Sequence, residues 1–482
     1  MSFPSFQKFT QIDLRNWKLE ARGVWLFLAL AAGILVRGYF LSQPMRGDEA
    51  YTFLQYVNNG VRSLFDYSAP NNHVFNTLLI KLSTSLWGGS PAAIRFPAFA
   101  AGLAVILIGF YLAGALLKNK NSGVLAAIGL AVFPYLVLYS TNARGYSMIV
   151  AFSLLMAVVA YRFSHTLSKL ALLLLALLAA LGMWTIPVMI LPIAGIFFWV
   201  VGLLRVEKRS VKTILSRFAV PFALMSAALT LAFYAPVIYV SKGAASIVSN
   251  KFVRPQSWSA FWAGILPQLQ KSLDEIFRDI PPLVLFVLLA LALLGLMHSI
   301  RSRNWGLLLL LPCLLLGAVC VVLIQHTAPY ARTWIYLIPF ILLLADAVLV
   351  FLLDHLPGRL SAWVNTLLVF AGFFFAMRLM SGNIIAAYPD TSAFPEAPIA
   401  VQYLKPVFKP GDTLRITSTA DWSVYFYFWY DGISPSLTQK SPSTGRIFYI
   451  VKKSRGSVVD MGTPPDALLL EVGDMALYQG RR

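Results

Sequence analysis

Carboxylates are scarce in the first 389 residues of the chain, where only eleven occur, and two of them are adjacent. Asp48 and Glu49 stand in the sequence Arg-Gly-Asp-Glu-Ala-Tyr at 46–51, a few residues after a long apolar run. Successive side chains on a helix point about 100° apart, so the two acids need not share a task. One can take a proton from a hydroxyl group while the other pairs with a cation. A surface carboxylate pair that begins an interfacial helix is the alternative interpretation.

A histidine and several amides follow in the same loop. Asn71, Asn72, His73 and Asn76 fall within six residues, in a sequence that is otherwise strongly apolar. Amide and imidazole groups offer hydrogen-bond donors and acceptors without a full charge, which suits the hydroxyl groups of a sugar. A lone loop histidine is usually incidental. Because His73 shares its loop with the acid pair and the amides, a binding role and an incidental one are equal alternatives.

Arginines stand at the ends of two further apolar runs. Arg144 occurs in Thr-Asn-Ala-Arg-Gly-Tyr at 141–146, Arg332 lies in the segment 326–334, and Arg37 adds a third cation inside the first apolar run. Such residues often extend to lipid headgroups, but guanidinium groups also bind phosphate with paired hydrogen bonds. The candidate catalytic residues are Asp48 and Glu49. The candidate substrate-binding residues are Tyr51, Asn71, Asn72, His73, Arg144, Tyr146, His326, Tyr330 and Arg332.

The composition shows what kind of fold must position these residues. Of 482 residues, 58% are hydrophobic and 12% are charged, and the mean hydropathy is +0.71; an ordinary globular protein carries about 25% charged residues. The apolar residues form runs near the ~20 residues that a membrane span requires. Charges and turn residues divide them into about eleven predicted transmembrane helices: 23–41, 92–117, 121–140, 146–164, 169–184, 187–204, 217–239, 281–300, 305–325, 331–352 and 361–380.

Charge indicates how the predicted spans are oriented. Of the net charge of +19, +18 lies before Asp390, and the excess Lys and Arg are concentrated in alternate connections. The positive-inside rule places these connections, with residues 1–22, in the cytoplasm. The transmembrane domain is then 23–380, with long external loops at 42–91 and 240–280. Because the positive-inside rule explains the excess of Lys and Arg, the net charge does not predict a nucleic-acid partner.

Two further features are predicted outside the membrane. Apolar residues recur at helical spacing through 257–278 with charges between them, which is typical of an amphipathic juxtamembrane helix; it either anchors the protein in lipid or gates access for a lipid substrate. The segment 381–482 changes composition, with short apolar runs separated by turn residues. It predicts a small C-terminal extracytoplasmic α/β domain on a polytopic α-helical membrane protein.

At these residues the chain resembles the C-type (GT-C fold) membrane glycosyltransferases, especially the branch that includes lipid A aminoarabinose transferases and protein O-mannosyltransferases. The sequence RGDEAY resembles the acidic motif of that family, and ARGY resembles its arginine at the start of the fourth span. NNHVFNTLLIKL stands where relatives often have His-Pro-Pro, but His73 is followed by Val74 and Phe75. About eleven spans is also fewer than the thirteen of the aminoarabinose transferases.

The resemblance implies a GT-C-like fold in a bacterial inner (plasma) membrane and an inverting transfer of a sugar from a polyprenyl-phosphate donor to an acceptor hydroxyl outside. Asp48 would be the general base, Arg332 and Arg144 would bind the donor phosphate, and Glu49 and His73 would orient the acceptor or cation partners. We expect no essential cofactor, although two acids and a histidine in one loop leave a divalent metal open. A glycan, a lipid or a protein is equally compatible as acceptor, and membrane lipids surround the chain.

Two rival functions come from other classes. A transporter or flippase of a lipid-linked anion would also have many spans and boundary charges, although transporters often consist of two related halves, which this sequence lacks. A non-catalytic assembly subunit would tolerate replacement of Asp48.

Overall fold

The computed structural model describes residues 21–119, 121–241, 243, 255–389, 392–409, 411–418, 420–433, 446–461 and 466–481. Most of the predicted cytoplasmic N-terminus, 1–22, therefore lies outside the described residues. The described part consists of a helical bundle and a small C-terminal domain. The helices of the bundle are α1 Ala21–Leu41, α2 Gly47–Thr52, α3 Val74–Trp87, α4 Pro91–Leu117, α5 Val124–Val132, α6 Pro134–Ser140, α7 Tyr146–Thr166, α8 Lys169–Thr185, α9 Ile190–Val206, α10 Val211–Ile214, α11 Val220–Val240, α12 Trp258–Phe277, α13 Pro282–Arg301, α14 Trp305–Gln325, α15 Ile338–Asp354 and α16 Gly358–Ser381.

Each of the eleven predicted spans coincides with helical structure, but not all of them are long helices. Among the described residues, nine helices are long and apolar enough to cross a membrane. The predicted span 169–184 is the 17-residue α8, and 121–140 is divided into α5 and α6. The number of helices that cross the bilayer therefore stays a prediction. Only 17% of the apolar window in Pro282–Arg301 is buried by the protein, so its outer face requires a lipid environment.

The break between α5 and α6 explains the buried Arg37. Pro134 has no N–H, so the carbonyl of Leu130, four residues earlier, lacks its helical donor. Arg37 Nη2 donates to that carbonyl at 3.0 Å, and Nη1 donates to the carbonyl of Ala131. In a membrane interior no water replaces the missing donor. Arg37 therefore supplies hydrogen bonds to the carbonyls at the break between α5 and α6. Its contacts do not place it with the other arginines around an anionic ligand.

The predicted amphipathic helix is present as α12. Its buried residues are Phe261, Ser272 and Ile276, whereas Trp262 and Leu266 are 58% and 71% exposed. One side of α12 thus packs on the bundle and the other presents large apolar side chains, as expected for a helix at a membrane surface.

The C-terminal domain is α/β, as predicted. It contains α17 Ala397–Leu404, β1 Thr413–Ile416, α18 Asp421–Tyr430, β2 Arg446–Lys452, β3 Ala467–Val472 and β4 Met475–Arg481. The sheet has the order β1-β2-β4-β3, in which β1 and β2 are parallel and the other pairs are antiparallel. The sequence did not predict β4, although this strand is central and pairs with both β2 and β3.

The C-terminal domain and α2 share one hydrophobic core. Met45, Ala50 and Phe53 lie in the same buried cluster as the apolar face of α18. The ring of Phe53 meets that of Trp429 edge to face at 4.7 Å between centroids. The domain therefore supports the side of α2 that is turned away from the bundle.

We predict that Arg37→Met lowers the thermal unfolding temperature of the detergent-solubilised protein, because two buried carbonyls lose their donors at ~1–3 kcal/mol each. In a Pro134→Ala background the new N–H can bond Leu130, so the same substitution should cost less. Differential scanning fluorimetry of the four proteins measures this coupling. An equal loss in both backgrounds would contradict the assigned role of Arg37.

Candidate active site

The adjacent acids Asp48 and Glu49 lie in the first turn of α2, and Glu49 is fully buried. Its carboxylate forms an ion pair with Arg95 of α4, whose Nε donates to Oε2 at 3.0 Å. The backbone N–H groups of Arg46 and Ala143 donate to the two oxygens at 2.9 and 2.8 Å. Both oxygens of Glu49 are therefore already hydrogen-bonded within the protein.

Electrostatics keep Glu49 ionised in this position. Burial alone would raise its pKa, but the attraction of Arg95 and the hydrogen bonds from Arg95, Arg46 and Ala143 lower the pKa below its usual value. A carboxylate of this kind is a poor proton acceptor. The geometry thus favours a positioning role for Glu49. Its catalytic role stays a prediction.

Asp48 has a different environment. Its side chain is 26% exposed, and Oδ2 lies 4.0 Å from Nη2 of the buried Arg144. This distance permits an ion pair but is longer than a hydrogen bond. No described residue donates a hydrogen bond to the Asp48 carboxylate. Its lone pairs can therefore accept a proton or a hydrogen bond from a ligand.

The turn between α6 and α7 brings Arg144 to Asp48. Ala143 is held on both sides, because its N–H donates to Glu49 at 2.8 Å and its carbonyl accepts from Asn76 Nδ2 at 3.1 Å. Arg144 Nη1 also donates to the carbonyl of Asn71 at 3.4 Å. Glu49 follows Asp48 in the chain, and Ala143 precedes Arg144. The hydrogen bond between Glu49 and Ala143 therefore fixes the backbone beside both Asp48 and Arg144.

His73 lies behind this pair as a neutral hydrogen-bond donor. Gly145 N–H donates to Nδ1 at 2.9 Å, so the ring proton of the neutral form is on Nε2. Burial lowers the pKa of His73 well below its usual value, and the positive charges of Arg144 and Arg332 lower it further. The ring of Tyr146 packs edge to face on His73 at 5.4 Å.

Four further predicted residues have contacts of their own: Asn72, His326, Tyr330 and Arg332. Arg332 is the second residue of the 3₁₀ helix Ala331–Leu337, and its guanidinium lies over the Tyr330 ring at 4.9 Å. His326 ends α14, and its ring packs on Trp258 of α12 at 3.8 Å. Asn72 is fully committed to its own loop: it donates to the carbonyls of Leu64 and Asp66 and accepts from Thr77. Asp48, His73, Arg144 and Tyr146 therefore form one cluster, and the positive charge of Arg332 acts on its histidine.

Sequence reasoning missed two residues that hold the acidic segment. Arg95 donates to the carbonyls of Leu41 and Pro44 at 2.9 Å each, in addition to its contacts with Glu49. Tyr427 of α18 accepts a hydrogen bond from the N–H of Met45 at 3.0 Å. A signal existed for Arg95, because a cation in the first turns of an apolar helix requires a buried partner. The sequence contains no comparable signal for Tyr427.

No three His, Cys, Asp or Glu side chains within the described ranges lie close enough together to hold a metal ion. Whether the protein requires a metal stays a prediction.

Comparisons with known proteins agree with this arrangement. A family profile described as dolichyl-phosphate-mannose-protein mannosyltransferase matches residues 74–240, about a third of the chain. Two crystal structures of ArnT from Cupriavidus metallidurans, in the apo state and bound to undecaprenyl phosphate, superpose with TM-scores of 0.56 and 0.58. Each covers 95% of this chain and 98% of that chain, at 11% and 12% identity. The chain has the GT-C fold.

A further GT-C structure is also similar. The Archaeoglobus fulgidus oligosaccharyltransferase, in complex with Zn and sulfate, superposes with a TM-score of 0.55 at 11% identity and covers 89% of this chain and 68% of that chain. No curated protein sequence matches the chain. Identities this low establish the fold alone. Together with the family profile, the matches confirm the predicted resemblance to C-type membrane glycosyltransferases in fold. The nine long apolar helices among the described residues support a multi-pass membrane protein.

We predict that this GT-C protein loses stability as the pH falls below about 6.5, the ordinary pKa of histidine. The pKa of His73 is lower in the folded than in the unfolded protein, so the unfolded state binds the proton first, at up to ~1.4 kcal/mol per pH unit. His73→Asn keeps an acceptor for Gly145 and cannot titrate. Unfolding temperatures at pH 7.5 and 5.5 should therefore differ less in the variant. An identical pH dependence would show that another group is responsible.

Proposed function

We propose that the protein is an inverting glycosyltransferase that moves a sugar from a polyprenyl-phosphate carrier to an acceptor hydroxyl on the extracytoplasmic face of the membrane. The observation that carries this proposal is the contrast between the two acids. Glu49 is saturated by Arg95 and two backbone donors, whereas Asp48 is partly exposed and retains its lone pairs beside a buried arginine. A general base needs the second environment.

In the proposed reaction Asp48 takes the proton of the acceptor hydroxyl. The hydroxyl oxygen attacks the anomeric carbon of the donor sugar as the bond from that carbon to the phosphate oxygen breaks. The electron pair of that bond leaves with the polyprenyl phosphate, and the configuration at the carbon inverts. No nucleotide takes part, which agrees with the lack of a Gly-rich nucleotide-binding loop in the sequence.

Arg332 and Arg144 are proposed to bind the donor phosphate. The positive charges of both lower the pKa of His73, and the two guanidinium groups and the Nε2–H of His73 would together provide donors for a phosphate. Fixed cations stabilise the negative charge that develops on a leaving phosphate. The similarity in fold to an ArnT structure bound to undecaprenyl phosphate supports a carrier of this class. These cations supply the needed charge, so we propose that no metal is required.

The sugar is left open, and so is the acceptor among a glycan, a lipid and a protein. The same orientation that puts Asp48 outside the cytoplasm would place the C-terminal domain there as well, in a plasma or inner membrane. A transporter of a lipid-linked anion is the alternative from another class. The contrast between the two acids and the GT-C fold favour the transferase.

We predict that Asp48→Asn lowers turnover by ~10²–10⁴-fold, the usual contribution of a general base, because the amide keeps the shape of the side chain but cannot take a proton. The assay uses the protein reconstituted with a polyprenyl-phosphate hexose, with and without EDTA. Asp66→Asn is the matched control in the same loop, where the Asp66 carboxylate accepts hydrogen bonds from Ser68. Turnover of Asp48→Asn near that of the wild type would remove Asp48 from the mechanism.

The proposed orientation predicts which residues are accessible from outside. Single cysteines at Val61 and Tyr430 should react with a membrane-impermeant maleimide in intact cells, whereas a cysteine at Val211 should react only after permeabilisation. All three positions are more than half exposed. The background carries Ala in place of Cys313 and Cys320. If only the cysteine at Val211 were labelled from outside, the topology would be the reverse of the proposed one and the proposed site would be refuted.

A further inference from the structure

One face of α18 carries aromatic side chains that the proposed reaction does not use. Trp422 and Tyr425 are one turn apart, with ring centroids at 5.8 Å and an interplanar angle of 82°. The ring of Tyr51, on α2, meets Trp422 edge to face at 4.7 Å. Tyr51, Trp422, Tyr425 and the neighbouring Asp421 are all half-buried. We call these four residues the aromatic platform.

The platform adjoins the candidate base. Asp48 and Tyr51 are three residues apart on α2, and residues with this spacing share one side of a helix, with Cβ atoms about 5–6 Å apart. Tyr51 in turn touches Trp422. The platform therefore begins on the side of α2 that carries Asp48.

The rest of α18 serves a different purpose. Phe426 and Phe428 are buried in the core shared with α2, and Trp429 packs on Phe53. The packing of α18 against the bundle is thus supplied by these residues. Trp422, by contrast, is half-buried, and no described residue accepts a hydrogen bond from its indole N–H.

We propose that the aromatic platform is the acceptor site and that the acceptor is a carbohydrate, whose ring packs on Trp422 while its hydroxyl groups meet Asp421 and the indole N–H. This inference rests on the proposed function and narrows its acceptor to a glycan. Aromatic faces carry partial negative charge and attract the C–H groups of a sugar ring. A carboxylate and an N–H beside the rings provide the acceptor and donor that hydroxyl groups need.

The chemistry of the platform disfavours the other two acceptor classes. A lipid chain has no hydroxyl groups for Asp421 and would meet a carboxylate that requires polar partners. A peptide in extended form usually adds to the edge of a sheet, but the platform lies on helices α2 and α18. A sugar ring uses both the apolar faces and the polar groups that are present.

The first test measures glycan binding by the full-length protein in nanodiscs on an array of oligosaccharides that end in hexose, N-acetylhexosamine or hexuronic acid. Trp422→Leu should lower the signal of bound glycans by about tenfold or more, because the ring face is lost. Trp422→Phe keeps an aromatic face and should restore most of it. Tyr430→Leu removes an exposed aromatic side chain from the same helix, outside the platform, and should have little effect. Unfolding temperatures of all variants verify that they fold.

The second test uses a bound glycan as acceptor and a polyprenyl-phosphate hexose as donor. Trp422→Leu should raise KM for the glycan about tenfold and KM for the donor less than twofold. A wild-type protein that binds no glycan but glycosylates a lipid or a peptide would overturn the inference and leave the proposed function standing. A wild-type protein that binds glycans through Trp422 without any transfer would overturn the proposed function instead. Equal glycan binding by Trp422→Leu and the wild type would show that the aromatic platform is not the glycan-binding site.

Discussion

The buried ion pair of Glu49 and Arg95 is the interaction on which the site depends. Neither side chain is exposed to solvent, and two such charges are stable in a protein interior only if hydrogen bonds satisfy both. Glu49 receives donors from α2, α4 and the turn before α7, and Arg95 also binds carbonyls at the end of α1. Loss of either partner would leave an unpaired buried charge, at a cost of ~3–5 kcal/mol. One carboxylate thereby fixes the elements that carry both Asp48 and Arg144.

This arrangement separates two roles that the sequence places side by side. Adjacent acids on a helix cannot face the same direction. Glu49 turns into the protein, whereas Asp48 is partly exposed beside Arg144. The N-terminal end of α2 is secured from the outer side as well. Arg46 Nη1 donates to the carbonyl of Tyr388 at 2.7 Å, and Gly47 N–H donates to that of Ser392 at 3.0 Å. The candidate base is therefore held between the membrane bundle and the segment that leads to the C-terminal domain.

The sequence predicted features that follow from local pattern. The apolar runs coincide with helices, the periodicity of 257–278 corresponds to α12, and the acid pair does begin a helix. It failed where the outcome depends on distant packing. Arg95 is 46 residues from Glu49, and β4 has the sequence MALYQGR, whose glycine and mixed polarity conceal a central strand. The sequence raised Arg37 as a third cation near the predicted site. The carbonyls at the Pro134 break to which it donates can be recognised only after the helices pack.

The shared core of α2 and the C-terminal domain has a practical consequence. Met45, Ala50 and Phe53 contribute to a hydrophobic interior most of whose members lie after residue 390. A recombinant fragment beginning near 392 would therefore expose the apolar side of α18 to water and be prone to aggregate. Chimaeras that exchange this domain between relatives would have to exchange the segment 45–53 with it. The two segments form one packing unit although some 340 residues separate Phe53 from the start of the domain.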